Sequence, residues 1–143
     1  MPRDTFSHRV QVAARPAAVW DALQRAETWQ GFGMIDEMAD VVTTDSGLAS
    51  FSWTALVAGR TYRGSAIVDE SRPLRGMSLT LESAEMSGVM VLEIQPEAGG
   101  TTVAAALTAQ SRGVLAGLFW GPVASALGGG LRSQLDEFAA SFG

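Results

Sequence analysis

Between residues 51 and 107 apolar and polar side chains alternate in one short run after another, a period that suits strands and does not suit helices. Phe51, Trp53, Ala55 and Val57 make one apolar row; Tyr62, Gly64, Ala66 and Val68 make the next. Met77, Leu79 and Leu81 follow, then Met86, Met90, Leu92 and Ile94, then Val103, Ala105 and Leu107. Ser52, Thr54, Arg63, Ser65, Asp69, Ser78, Thr80, Glu82 and Glu93 fall on the opposite parity. Asp45-Ser46-Gly47, Ala58-Gly59-Arg60, Arg72-Pro73 and Ala98-Gly99-Gly100 separate the runs at hairpin spacing. The pattern predicts an antiparallel meander with one dry face and one largely wet face. A dry face demands a cover.

The C-terminal region supplies it. Leu115, Leu118, Phe119, Val123, Ala126, Leu127, Leu131, Leu135, Phe138 and Phe142 recur at three- and four-residue steps, which predicts a helix from about Val114 to Ser141. Pro122 and the Gly128-Gly129-Gly130 run oppose it, since an interior proline costs about 3 kcal/mol and each glycine up to about 1. A kink or a broken first turn is expected, with the helix in two pieces. Gly113, Gly117, Gly121, Ser125, Gly129 and Ser133 also recur every four residues, which suggests close packing within the chain ahead of a homodimer seam. At the other end, Phe6, His8, Val10 and Val12 alternate with Ser7, Arg9 and Gln11, so Thr5 to Ala13 reads as a strand. Pro16 then opens a short helix carrying Val19, Trp20 and Leu23 that fades near Ala26-Glu27-Thr28. Trp29 to Met34 reads as a second short helix or a loop, leading into Met38 to Thr44.

Composition narrows the chemistry. The 143 residues make a single domain, 1–143. There is no cysteine, only one histidine and no lysine, because all ten basic residues are arginines. Thiolate chemistry, multi-histidine metal centres and lysine Schiff bases are thereby excluded. The net charge of -5 opposes binding to nucleic acid. No uninterrupted apolar stretch precedes Trp20, so a cytoplasmic location is expected. Gly113 to Leu131 is uncharged and approaches membrane-spanning length, but Pro122 and the three glycines keep it only mildly hydrophobic. The carboxylate neighbours Asp36-Glu37, Asp69-Glu70 and Asp136-Glu137 read as solvated faces, and their spacing does not fit a calcium loop. No metal or cofactor is expected.

Several local runs carry a family resemblance. They are Arg15-Pro16-Ala17-Ala18-Val19-Trp20-Asp21-Ala22-Leu23 followed by Trp29, Gly64-Ser65-Ala66 ahead of Arg72-Pro73, Glu93-Ile94-Gln95-Pro96 to Gly99-Gly100-Thr101, and Leu135 to Phe142. Along essentially its whole length the chain resembles the SRPBCC superfamily, also called START-like or birch-pollen-allergen-like, and within it the bacterial polyketide cyclase/dehydrase-like members. The resemblance implies an α+β helix-grip fold: a curved antiparallel sheet of about seven strands wrapped around a long C-terminal helix, with two short helices after the first strand. It implies an architecture, because such a scaffold hosts carriers, cyclases, hydrolases and regulators alike.

A curved sheet gripping a helix leaves an apolar cavity between them, where a ligand is expected. By strand parity its walls are Phe6, His8, Trp53, Tyr62, Met77, Leu79, Met90 and Leu92, with Leu115 and Phe119 on the helix and Trp29 or Phe32 near an entrance. The first functional reading is binding of a small hydrophobic or aromatic molecule such as a lipid or polyketide. The alternative is an aromatase/cyclase-type enzyme using the same cavity, with His8 and Tyr62 as polar groups and Arg63 joining them if a bulge turns it inward. A third reading makes the C-terminal helix a docking element for a membrane or a protein.

Overall fold

The structure is a computed structural model and describes residues 3–30, 35–57, 59–113 and 120–142. In chain order the elements are β1 (Arg3–Val12), α1 (Pro16–Leu23), α2 (Ala26–Trp29), β2 (Glu37–Thr44), β3 (Gly47–Val57), β4 (Arg60–Arg72), β5 (Gly76–Ser83), β6 (Met86–Glu97), β7 (Gly100–Ser111) and the C-terminal helix α3 (Trp120–Ala140). The seven strands form one curved antiparallel sheet in the order β1-β7-β6-β5-β4-β3-β2. Strands β2 to β7 are the meander read from the alternation, and β1 joins its far edge by pairing with β7. This is the expected helix-grip arrangement.

Alternation carries through to burial. On β5, Met77, Leu79, Leu81 and Ser83 are buried while Ser78, Thr80 and Glu82 are half-buried, as a strand with one covered face requires. The strand register is irregular at two places, on β2 and on β4. The first covers two shifts, between Ala39 and Val42, where Asp40 adopts a φ of 51°, and between Val42 and Thr43; the second lies between Val68 and Glu70 on β4. The second bears on Arg63. It falls well past Arg63, so the pairing of Thr54 with Arg63 is undisturbed and the arginine stays exposed on the outer face.

The glycine run does not interrupt the C-terminal helix. Its described part runs unbroken from Trp120 to Ala140, through Pro122 and all three glycines. Gly128 has a positive reason to be present: a Cβ at that position would lie 2.7 Å from Cδ1 of Phe6, so a side chain there would have to displace the Phe6 ring or the helix. Val123, Leu127, Leu131, Leu135 and Phe138 form the buried stripe, and their burial outweighs the poor propensity of the glycines. The described members of the four-residue row of small side chains form no packing seam within the chain. Gly121, Ser125, Gly129 and Ser133 all face solvent, because a row at four-residue steps winds away from the buried stripe. Residues 114–119, with the predicted stripe members Leu115, Leu118 and Phe119, lie outside the described residues, as does Phe32. Among the described residues no helix is long and apolar enough to cross a membrane.

Candidate functional site: an apolar cavity under the helix grip

One wall of the site is positioned by the two short helices. Pro16 starts α1, whose buried face carries Val19, Trp20, Ala22 and Leu23. The last carbonyls of such a helix need partners, and α2 supplies them: Thr28 Oγ1 donates to the Ala22 carbonyl at 2.6 Å and the Trp29 indole N–H donates to the Leu23 carbonyl at 2.9 Å. Trp29 is thereby locked inward, only 1% exposed. The chain then turns back onto the sheet through Asp36, whose N–H donates to the Thr54 carbonyl and whose carboxylate accepts the Leu56 N–H at 2.6 Å. That anchor turns the preceding Ile35 into the interior.

The sheet supplies most of the remaining walls. Phe51 and Trp53 come from β3, Leu79 and Leu81 from β5, Met86 and Met90 from β6, and Leu107 from β7, while Leu127 reaches down from α3. Trp53 lies across Gly64 on the neighbouring strand, where a Cβ would come within 2.4 Å of the indole ring. Its N–H donates to the Ser65 carbonyl at 3.0 Å. Both indole donors that border the site are therefore satisfied by backbone carbonyls, leaving ring carbon to face inward. With Trp29 and Ile35 these groups enclose a cavity of about 20 Å³, room for about one water molecule.

Trp29, Trp53, Leu79 and Met90 are the expected wall residues that border this cavity. Five others do not border it, and each has a physical reason. Phe6 is taken up by its contact with α3 at Gly128. His8, next in the same row, places Nε2 at 2.7 Å from the Asp136 carboxylate on that helix and remains 24% exposed. Met77 is engaged by Gln24 at the end of α1, whose Nε2 approaches its sulfur at 3.7 Å. Leu92 pairs with Met77 and lies on β6, one of the strands that α1 contacts. Tyr62 is buried near the start of β4 under the Arg60 guanidinium, 5.6 Å from the ring centroid.

The residues that parity did not single out are Ile35, Phe51, Leu81, Met86, Leu107 and Leu127. All but Ile35 belong to the apolar rows already visible in the sequence. What the rows do not disclose is which stretch of each lies under α1, which under α3, and which between.

The chain matches over residues 3–143 the family model described as polyketide cyclase/dehydrase and lipid transport. No curated protein matches it in sequence. Among solved structures it is similar to TTHA0849 from Thermus thermophilus, with a TM-score of 0.77 and 18% identity over 96% of this chain and 95% of that one. A START superfamily protein from Mycobacterium smegmatis gives a TM-score of 0.63 and 17% identity over 92% and 98% of the two chains. The di-domain ARO/CYC StfQ of the steffimycin biosynthetic pathway gives 0.65 and 16%, covering 97% of this chain and 51% of StfQ. At such identities the likeness speaks for the fold, and the family match rests on the sequence. The chain is a member of the polyketide cyclase/dehydrase and lipid transport family, built on the START-like helix grip.

Proposed function

We propose that the protein binds a small apolar or aromatic molecule in the cavity between the sheet and α3. The observation that supports this is the make-up of the wall: ten apolar or aromatic side chains from six elements and one connecting segment converge on one point, with no charged group among them. The volume of about 20 Å³ is far below the roughly 300–1,000 Å³ of a typical ligand pocket, so a ligand enters by displacing side chains. Met86 and Met90 suit that demand, since unbranched thioethers adopt new rotamers at little cost. The cyclase reading has less to rest on. His8 is bonded to Asp136, Arg63 stands on the outer face and Tyr62 is not part of the wall.

Titration with the neutral fluorescent probe N-phenylnaphthylamine tests the proposal. Saturable enhancement is expected for the parent protein. Leu127→Phe, which fills the cavity from the helix side, should weaken the probe by about tenfold, in line with the cost of overpacking a closed site. Circular dichroism verifies that the variant folds. Unchanged affinity in a folded Leu127→Phe protein would remove the cavity as the binding site.

A further inference from the structure

The described wall of the cavity is apolar, yet polar groups without partners among the described residues adjoin Met86, one of its members. On the inner face of β7 the row runs Leu107, Ala109, Ser111, and Leu107 borders the cavity. Ser111 stands directly across from Met86, which also borders it. This serine is completely buried and its Oγ has no hydrogen-bond partner among the described residues. A buried hydroxyl left unpaired is costly, so its position calls for a partner. Neighbouring groups that could serve are committed elsewhere. Ser83 Oγ accepts the N–H groups of Glu85 and Met86 at 3.3 and 3.1 Å. The Arg112 guanidinium donates to the Glu82 carboxylate at 2.8 Å and to the Ser83 carbonyl at 3.2 Å.

A second orphan is the residue that precedes Met86 in the sequence. Glu85, whose carbonyl accepts the Arg112 N–H at 2.7 Å, has one carboxylate oxygen buried and without a partner among the described residues. The third such atom, Thr102 Oγ1, falls by strand parity on the other face of the sheet. The Met86 end thus combines a serine hydroxyl that can donate and accept with an acidic side chain whose cationic neighbour is bound elsewhere.

We infer that this end is a polar subsite and that the ligand is a neutral apolar molecule with a single hydroxyl or carbonyl, held by Ser111, while Glu85 disfavours an anionic head such as a carboxylate. The inference rests on the cavity being the binding site. It divides the ligand into an apolar body among Trp29, Trp53 and Met90 and a polar end at Ser111. A free fatty acid would bring its charge toward Glu85, while the neighbouring Arg112 is already paired with Glu82.

Calorimetric titration with naphthalene, naphthol and naphthoate separates the parts, and the three probes report on the parent protein before any substitution is made. Naphthol should bind the parent about fivefold more tightly than naphthalene, the value of one added hydrogen bond, and naphthoate should bind weakest. Ser111→Ala should abolish the preference for naphthol and leave naphthalene unchanged. Glu85→Gln should raise naphthoate toward naphthol. If naphthalene binds but Ser111→Ala keeps the naphthol preference, the subsite is refuted and the cavity stands. Naphthoate binding the parent as tightly as naphthol would refute the role given to Glu85. If none of the three binds the parent, the cavity itself is refuted, and the subsite with it.

Discussion

The inner face of the sheet is closed in two different ways. Along β1 the helix α3 sits directly on the strand: Phe6 meets the bare backbone at Gly128, and Leu131 and Leu135 are at most 1% exposed. Across β3, β5 and β6 the same face instead meets Trp29, Ile35 and Leu127 around a small void, and the side chains there include two methionines. The first region gains its fit from a missing side chain. The second retains side chains that can move. One continuous apolar face therefore serves as core at one edge and as a deformable site in the middle, and the division is made by which cover lies over it.

The sharpest way to break this contrast is to cut into the closed region. Leu135→Ala should destabilise the protein by about 2–5 kcal/mol, read from the midpoint of a urea denaturation at unchanged slope, because removing a fully buried leucine of the helix that packs on β1 leaves a cavity. A loss well under that range would mean that the β1 side is as yielding as the cavity. Adjacent glycines sharpen the comparison next. Gly128→Leu should cost about 1–3 kcal/mol by pushing against Phe6. Gly129→Ala, where a Cβ meets open space, should stabilise the helix by up to about 1 kcal/mol. Equal effects at the two positions would show that the close approach of α3 to β1 is not what Gly128 provides. Smallest is His8→Ala. Its bond to Asp136 involves a carboxylate 59% exposed, so its loss should shift stability by less than about 1 kcal/mol and leave ligand binding unaltered. A large fall in ligand affinity would instead return His8 to the site.

Much of this architecture was legible. Period-2 alternation identified the inner and outer rows, and Arg63 fell where parity placed it because the β4 irregularity lies downstream, between Val68 and Glu70. The site was legible only in part. Met77 and Leu79 are two residues apart on one face of β5, yet Gln24 of the α1 end engages the first and only the second borders the cavity. Nothing local to β5 distinguishes them. Ile35 carries no periodic signal, and its inward position follows from Asp36 anchoring the chain to Thr54 and Leu56. Local propensity counts the glycine run against the helix, whereas Gly128 is explained by Phe6, distant in sequence.

By itself the sequence determined the strands, the faces they bury, the existence of a C-terminal cover and the absence of cysteine, lysine and histidine-rich chemistry, since side-chain period and composition are properties of the chain alone. Tertiary structure alone decided that the helix continues through its glycines, that His8 pairs with Asp136, and that Ser111 is buried near the cavity with no partner among the described residues. Each of these depends on which element lies over which stretch of the sheet, a relation between residues far apart in the chain that no local pattern encodes.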